Sequence, residues 1–250
     1  MRFLAVDAGN SSVKAAVWDG EAWGPVVRWP SDRAGPDAWA ARLAEVARGA
    51  ERAGIASVVP ALTPVLAEAM RAVVGTEPLV VSARLPLPFR LAYRTPHTLG
   101  ADRLAAAVAA WNGVGGRGQP VVAVDAGTAI TVEVVSAEPA YLGGAILPGP
   151  DLLRRALHGG TGQLPDVPWA IPTSPIGAST AEAMQAGLAV LVLDGVSGLL
   201  RRTADALGTR PATVATGGWA PWLAENVAEI DRVEPMLVLD GIRQLAEAVR

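Results

Sequence analysis

The string Val-Asp-Ala-Gly occurs twice in this chain of 250 residues, at 6–9 and 124–127, and each copy closes an apolar run. Phe3-Leu4-Ala5-Val6 leads into the first and Val121-Val122-Ala123-Val124 into the second. A short apolar run ending in Asp-x-Gly reads as a buried strand entering a tight turn, and a further strand-like segment follows each copy. Asp7 and Asp125 stand 118 residues apart. Two unrelated buried strands would also carry so short a string. The shared order of strand, turn and strand instead predicts a duplication, with two carboxylates and two glycine turns facing each other across a cleft suited to phosphate and metal.

The remaining pattern agrees with two lobes. Strands are expected at 2–9, 13–19 and 23–29, a helix over 37–48, a strand at 55–59, a helix over 63–74 and a strand at 78–82, which is a βββαβα order. A Pro-rich connection over 84–99 precedes an Ala-rich helix at 101–111, and the Gly-rich run 113–118 ends the first half. The order restarts with strands at 120–127, 128–135 and 141–146, a helix from Pro148 and a long helix near 178–207. A strand at 211–216, a short helix, a strand at 234–241 and a final helix complete it. The expectation is an α/β chain of two duplicated lobes, 1–118 and 119–250, with a nucleotide cleft between them.

Composition narrows the chemistry. There is no cysteine and only two histidines, His97 and His158, so thiolate sites, disulfides and a His-rich metal cluster are excluded, and catalysis rests on carboxylates, hydroxyls and backbone. The formal net charge of −3 offers no basic field for nucleic acid and points to small-molecule partners. No charge-free apolar stretch reaches the roughly 18 residues of a membrane span without Pro or Gly, and the apolar opening is short for a leader, so a soluble, cytoplasmic protein is expected. A hydrophobic fraction of 51% against 18% charged residues predicts a buried subunit interface as well as a core.

In Asp7-Ala8-Gly9-Asn10-Ser11-Ser12-Val13-Lys14 the glycine permits a tight turn whose N–H groups face an anion, while Asp7 offers the hard oxygen that Mg²⁺ prefers. An ordinary hairpin with Asp and Asn at its bend has the same letters. Lys14 is the one lysine against 20 arginines, either an exposed strand lysine or a point charge for a phosphate. Gly100-Ala101-Asp102-Arg103 opens the Ala-rich helix. Asp102 suits a helix start and equally a general base, with Arg103 as a fork for a carboxylate. The eight tryptophans are read as core and interface filling, and Arg154-Arg155 as a solvated helix face.

Taken in order, DAGNSSVK, GADR, DAGTAIT at 125–131, GGAILPG at 143–149, LP at 164–165, ST at 179–180 and TGG at 216–218 resemble the type III pantothenate kinases over nearly the whole chain. That family belongs to the superfamily of acetate and sugar kinases, heat-shock ATPases and actin, built from two duplicated ribonuclease H-like lobes. The resemblance implies ATP-dependent phosphorylation of pantothenate, the first step toward coenzyme A, with Mg²⁺ and a monovalent cation, K⁺ or ammonium. It implies that Asp7 to Lys14 and Thr128 meet ATP and that Asp102 accepts the proton. Tyr93, Gly100, Ala101, Asp102, Arg103 and Thr180 would hold pantothenate, and Asp125 the monovalent cation.

A homodimer is implied too, and the apolar helices near 101–111 and 183–193 are its expected interface. The chain departs from the family's usual letters at Ser11-Ser12-Val13, at Lys14, where an apolar residue is common, and at Glu133, where an Asp is common. The same fold also carries transcriptional activators and other small-molecule kinases. The intact GADR and both turns argue against the first, and the short chain against the second.

Overall fold

The computed structural model describes every residue except 114–117 and 250. Most of the Gly-rich run expected to end the first half lies outside the described residues. The first sheet contains β1 (Phe3–Ala8), β2 (Ser12–Trp18), β3 (Val27–Pro30), β4 (Arg52–Ser57) and β5 (Leu79–Val80), in the order β3-β2-β1-β4-β5. β1 and β2 are antiparallel, as are β2 and β3, while β1, β4 and β5 run parallel. Helices α1 (Pro36–Val46) and α2 (Thr63–Val74) fill the parallel crossovers and pack with Leu4, Val6 and Ile55 as one apolar layer.

The second sheet contains β7 (Val121–Ala126), β8 (Ala129–Ser136), β9 (Ala140–Pro148), β10 (Ala212–Thr216) and β11 (Arg232–Val233), joined at its β9 edge by β6 (Arg90–Leu91). Its order β11-β10-β7-β8-β9 repeats the first sheet strand for strand, with the same parallel and antiparallel pairings. Asp7 and Asp125 fall at equivalent places, the fifth residue of the first strand in each sheet. The duplication expected from the two turns is therefore present in the topology.

The lobes exchange helices. α3 (Ala101–Gly113) follows β5 in the chain yet packs on β7 and β8, whereas α7 (Leu237–Ala248) follows β11 and packs on β1 and β4. The two helices lie against each other so closely that a Cβ on Gly241 would collide with the carbonyl of Ala105. An alanine-rich sequence lets backbones approach in this way, and α3 is buried from Leu104 through Trp111.

Two expectations are corrected here. Helix 101–111 is not a subunit interface, because its apolar surface is already covered by the second sheet and α7. Residues 234–241 are not a strand: the edge strand is Arg232–Val233, and α7 begins at Leu237. The continuous run Leu237-Val238-Leu239 is buried throughout because α7 is wedged between a sheet and a helix, so its start lacks a one-sided apolar stripe.

α4 (Pro150–Gly159), α5 (Thr180–Leu207) and α6 (Ala220–Asn226) complete the second lobe. At 28 residues, and with an 18-residue window of mean hydropathy 1.7, α5 is long and apolar enough to cross a bilayer, yet Val192, Val196 and Leu200 seat it in the apolar core over β7 and β8. Val190 and Leu191 on its other side are 47% and 58% exposed.

Candidate active site

The first turn is closed by Gly9 N–H donating to Ser12 O at 3.0 Å, leaving Asn10 and Ser11 exposed at its tip. Ala8 and Val13 face each other across the hairpin with side chains in the core, so they offer a ligand only backbone. Asp7 pairs in register with Lys14, whose Nζ donates to Asp7 Oδ2 at 3.2 Å. The lone lysine is thus held at the strand end beside the turn, opposite Arg28 of β3.

The second turn is closed by Gly127 N–H donating to Ala129 O at 2.9 Å. Gly149 N–H donates to Thr128 O at 3.0 Å, and a Cβ on Gly149 would strike the Gly127 and Thr128 carbonyls, so this glycine braces the turn. Gly217, at φ +94°, has the same reason: a Cβ there would lie 2.5 Å from Asp125 Oδ1. Across the cleft the two turns touch, Ser11 Oγ lying 2.8 Å from Thr128 Oγ1.

Asp102 stands in the first turn of α3, its Oδ1 accepting from Arg103 N–H at 2.7 Å. A Cβ on Gly100 would sit 2.6 Å from that same oxygen, so the GADR glycine clears room for the carboxylate. Burial raises the Asp102 carboxyl above its ordinary value, and the Asp7 carboxylate adds to this against the pull of the Arg103 N–H. Burial pushes Asp125 up to about 7, with Lys14 pulling it down and Asp7, Asp102 and Glu133 pushing it up.

These groups line one cavity of about 400 Å³ between the lobes, bounded by Asp7, Gly9 to Ser12, Lys14, Asp102, Asp125 and Thr128. Arg28, Val58, Asp151, Arg155, Gly218 and Trp219 also line it. Among the described residues no three acidic or histidine side chains converge tightly enough to enclose a metal. Mg²⁺ bound with phosphate keeps its waters and takes only one or two protein carboxylates, and Asp7 beside the first turn is a carboxylate that could serve.

A family model, type III pantothenate kinase, matches residues 3–202. The chain belongs to the type III pantothenate kinase family. A relative of that name from Acidiphilium cryptum is 38% identical, covering 97% of this chain and 93% of its own, and one from Gluconobacter oxydans is 37% identical over 98% and 92%. A solved structure from Campylobacter jejuni described as a Baf family transcriptional activator superposes with a TM-score of 0.62 at 20% identity, covering 98% of this chain and 97% of its own. A ROK family glucokinase from Streptomyces griseus does so at 0.54 and 14%, covering 98% and 99%. Both likenesses concern the fold, the actin-like arrangement of duplicated lobes seen in sugar kinases.

The family's remaining positions are distributed unevenly. Tyr93 lies outside this cavity, in a separate groove with Arg94, Thr95, Gly143 and Gly144. Ala101 is buried in the core. Thr180 is exposed at the first position of α5, whose Ser179 cap accepts from Glu182 N–H at 3.3 Å, and it does not line the cavity. Arg103 is not an open fork: Nε and Nη2 donate to the two oxygens of Glu133 at 2.6 and 2.9 Å.

Sequence reasoning missed Arg28, Asp151, Arg155 and Trp219. Arg155, read with Arg154 as a solvated face, is exposed and also lines the cavity, while Arg154 is the more buried of the two and pairs with Asp151 and Asp166. Trp219 packs edge-on to Trp169 and Trp222 at 5.4 and 5.7 Å while its Nε1 donates to Asp151 at 3.3 Å. The Gly217-Gly218 pair just before it was the available signal, since such a pair lets a helix start close to a ligand.

Proposed function

We propose that the cleft between the lobes transfers the ATP γ-phosphoryl group to the primary hydroxyl of pantothenate, with Asp102 accepting the hydroxyl proton. Family membership makes the chain an ATP-dependent pantothenate kinase acting in coenzyme A biosynthesis. The observation that carries the assignment to this cleft is the meeting of both Asp-Ala-Gly turns and Asp102 around one cavity.

Phosphoryl transfer asks a protein chiefly for position and charge. The turn 7–14 and Thr128 hold the phosphates through N–H groups, hydroxyls and Lys14, and Asp7 carries the Mg²⁺ complex. When bound, the divalent ion neutralises charge on the β and γ phosphates. Pantothenate is held by Tyr93, Gly100 to Arg103 and Thr180. Its hydroxyl oxygen bonds to the γ-phosphorus, the bond from that phosphorus to the bridging oxygen breaks, ADP departs, and the proton goes to Asp102. Burial suits Asp102 to this task, since a carboxyl raised toward neutrality is a stronger base.

Asp125 takes K⁺ or ammonium, a reading supported by the crowd of carboxylates around it. The matched strand orders support a duplication whose halves meet in the chain at 118/119, with β6 and α3 of the first half packing with the second sheet and α7 of the second half with the first. A homodimer through α5 would cover Val190 and Leu191 and bring Thr180 to a partner's site. Use of ATP supports a cytoplasmic location.

Mass spectrometry of product from ATP, Mg²⁺ and pantothenate, with and without K⁺, tests the proposal, with glucose as a second acceptor. Phosphopantothenate that depends on K⁺ is expected. Phosphorylated glucose instead would favour a sugar kinase, and no product from folded protein a regulator.

A further inference from the structure

Glu133 lies within β8 between Val132 and Val134 and is 1% exposed. A carboxylate there is expensive to desolvate, and buried ion pairs are often replaceable by apolar residues without loss of stability. What the pair with Arg103 does supply is direction. A guanidinium carries five N–H donors; the side-on pairing uses Nε and one proton of Nη2. Of the three protons that remain, one is within reach of the Tyr93 hydroxyl, and the others form an edge that matches another carboxylate.

Glu133 is itself fixed. The Tyr141 hydroxyl donates to Oε2 at 2.5 Å, and the Tyr141 ring, wholly buried, stacks on Phe89 at 6.1 Å and meets Tyr93 edge-on at 5.7 Å. Burial pushes the Tyr141 hydroxyl far above the usual phenol range, so it stays a donor. Gly143, at φ +104°, admits Tyr93, since a Cβ there would come 3.2 Å from the ring. One chain of contacts therefore runs from Tyr93 through Tyr141 and Glu133 to Arg103, the neighbour of Asp102.

We propose that Glu133, clamped by Tyr141, is a positioning residue that turns the remaining edge of Arg103 onto the substrate's carboxylate and so makes the kinase select an acid over its neutral amide. The inference rests on the reading of Arg103 as the carboxylate fork.

The test compares pantothenate with its primary amide in wild type, Glu133→Gln, Glu133→Asp, Tyr141→Phe and Arg103→Ala. Glu133→Gln is expected to raise KM for pantothenate by about tenfold or more with KM for ATP unmoved, and to shrink the acid-over-amide preference in kcat/KM by a similar factor. Glu133→Asp, which keeps the charge, should restore part of it, and Tyr141→Phe should lose a smaller part. A purely structural role would lower both substrates alike and leave the preference intact.

If Arg103→Ala keeps the preference, the reading of Arg103 fails and this proposal with it. If Arg103→Ala abolishes it while Glu133→Gln keeps it, the positioning role alone is overturned. Should Glu133→Gln fail to fold, an unchanged preference in Tyr141→Phe overturns the role.

Discussion

The hydroxyls of Ser11 and Thr128 lie 2.8 Å apart although 117 positions separate them in the chain. Each sits at the tip of one of the duplicated turns, so this contact fixes the gap into which phosphates must fit. Thr128→Val is expected to raise KM for ATP about tenfold while sparing KM for pantothenate. In a cycle with Ser11→Ala, the two changes should couple by about 0.5–1.5 kcal/mol in ATP binding. Strict additivity, measured by calorimetry, would contradict the contact.

Gly100→Ala places a methyl 2.6 Å from the present position of Asp102 Oδ1. The carboxylate must move, and a displacement near 1 Å at a reacting group costs on the order of 100-fold in rate. Steady-state kinetics should show kcat falling by at least tenfold with thermal stability nearly unchanged.

Asp125 makes stability pH-dependent. With its carboxyl pushed up to about 7 in the folded chain, it holds a proton there that the unfolded chain has already released above about pH 4. Without added nucleotide or K⁺, stability should therefore fall as pH rises from about 4 to 7 and level off above. Asp125→Asn removes that loss, so its Tm should exceed wild type at pH 8 and converge with it near pH 4. Each kcal/mol of relief corresponds to roughly 2–4 °C at this chain length. A Tm difference that does not vary with pH would refute the assignment.

Gly241→Ala drives a methyl into the Ala105 carbonyl where α3 and α7 cross. Overpacking of this kind costs about 1–3 kcal/mol, and both lobes depend on the crossing. Denaturant unfolding should show a lower midpoint, without selective loss of ATP binding.

Local patterns made the duplicated strands legible: Phe3–Val6 and Val121–Val124 are short apolar runs punctuated by Asp-x-Gly, and the sheets pair as that order implies. Leu237–Leu239 misled because burial on every side erases helical period. The tie between Arg103 and Glu133 spans 30 residues and leaves no local trace, except that a carboxylate within Thr-Val-Glu-Val-Val already marks a buried charge awaiting a partner. Arg28 and Arg155 enter the cleft through tertiary folding alone.

The most direct measurement of the central claim is single-turnover phosphopantothenate formation by wild type and Asp102→Asn, at saturating ATP, Mg²⁺, K⁺ and pantothenate. The variant should bind ATP as wild type does and form product about 100- to 10,000-fold more slowly. A folded Asp102→Asn protein that transfers phosphate at the wild-type rate would contradict the placement of the proton acceptor in this cleft.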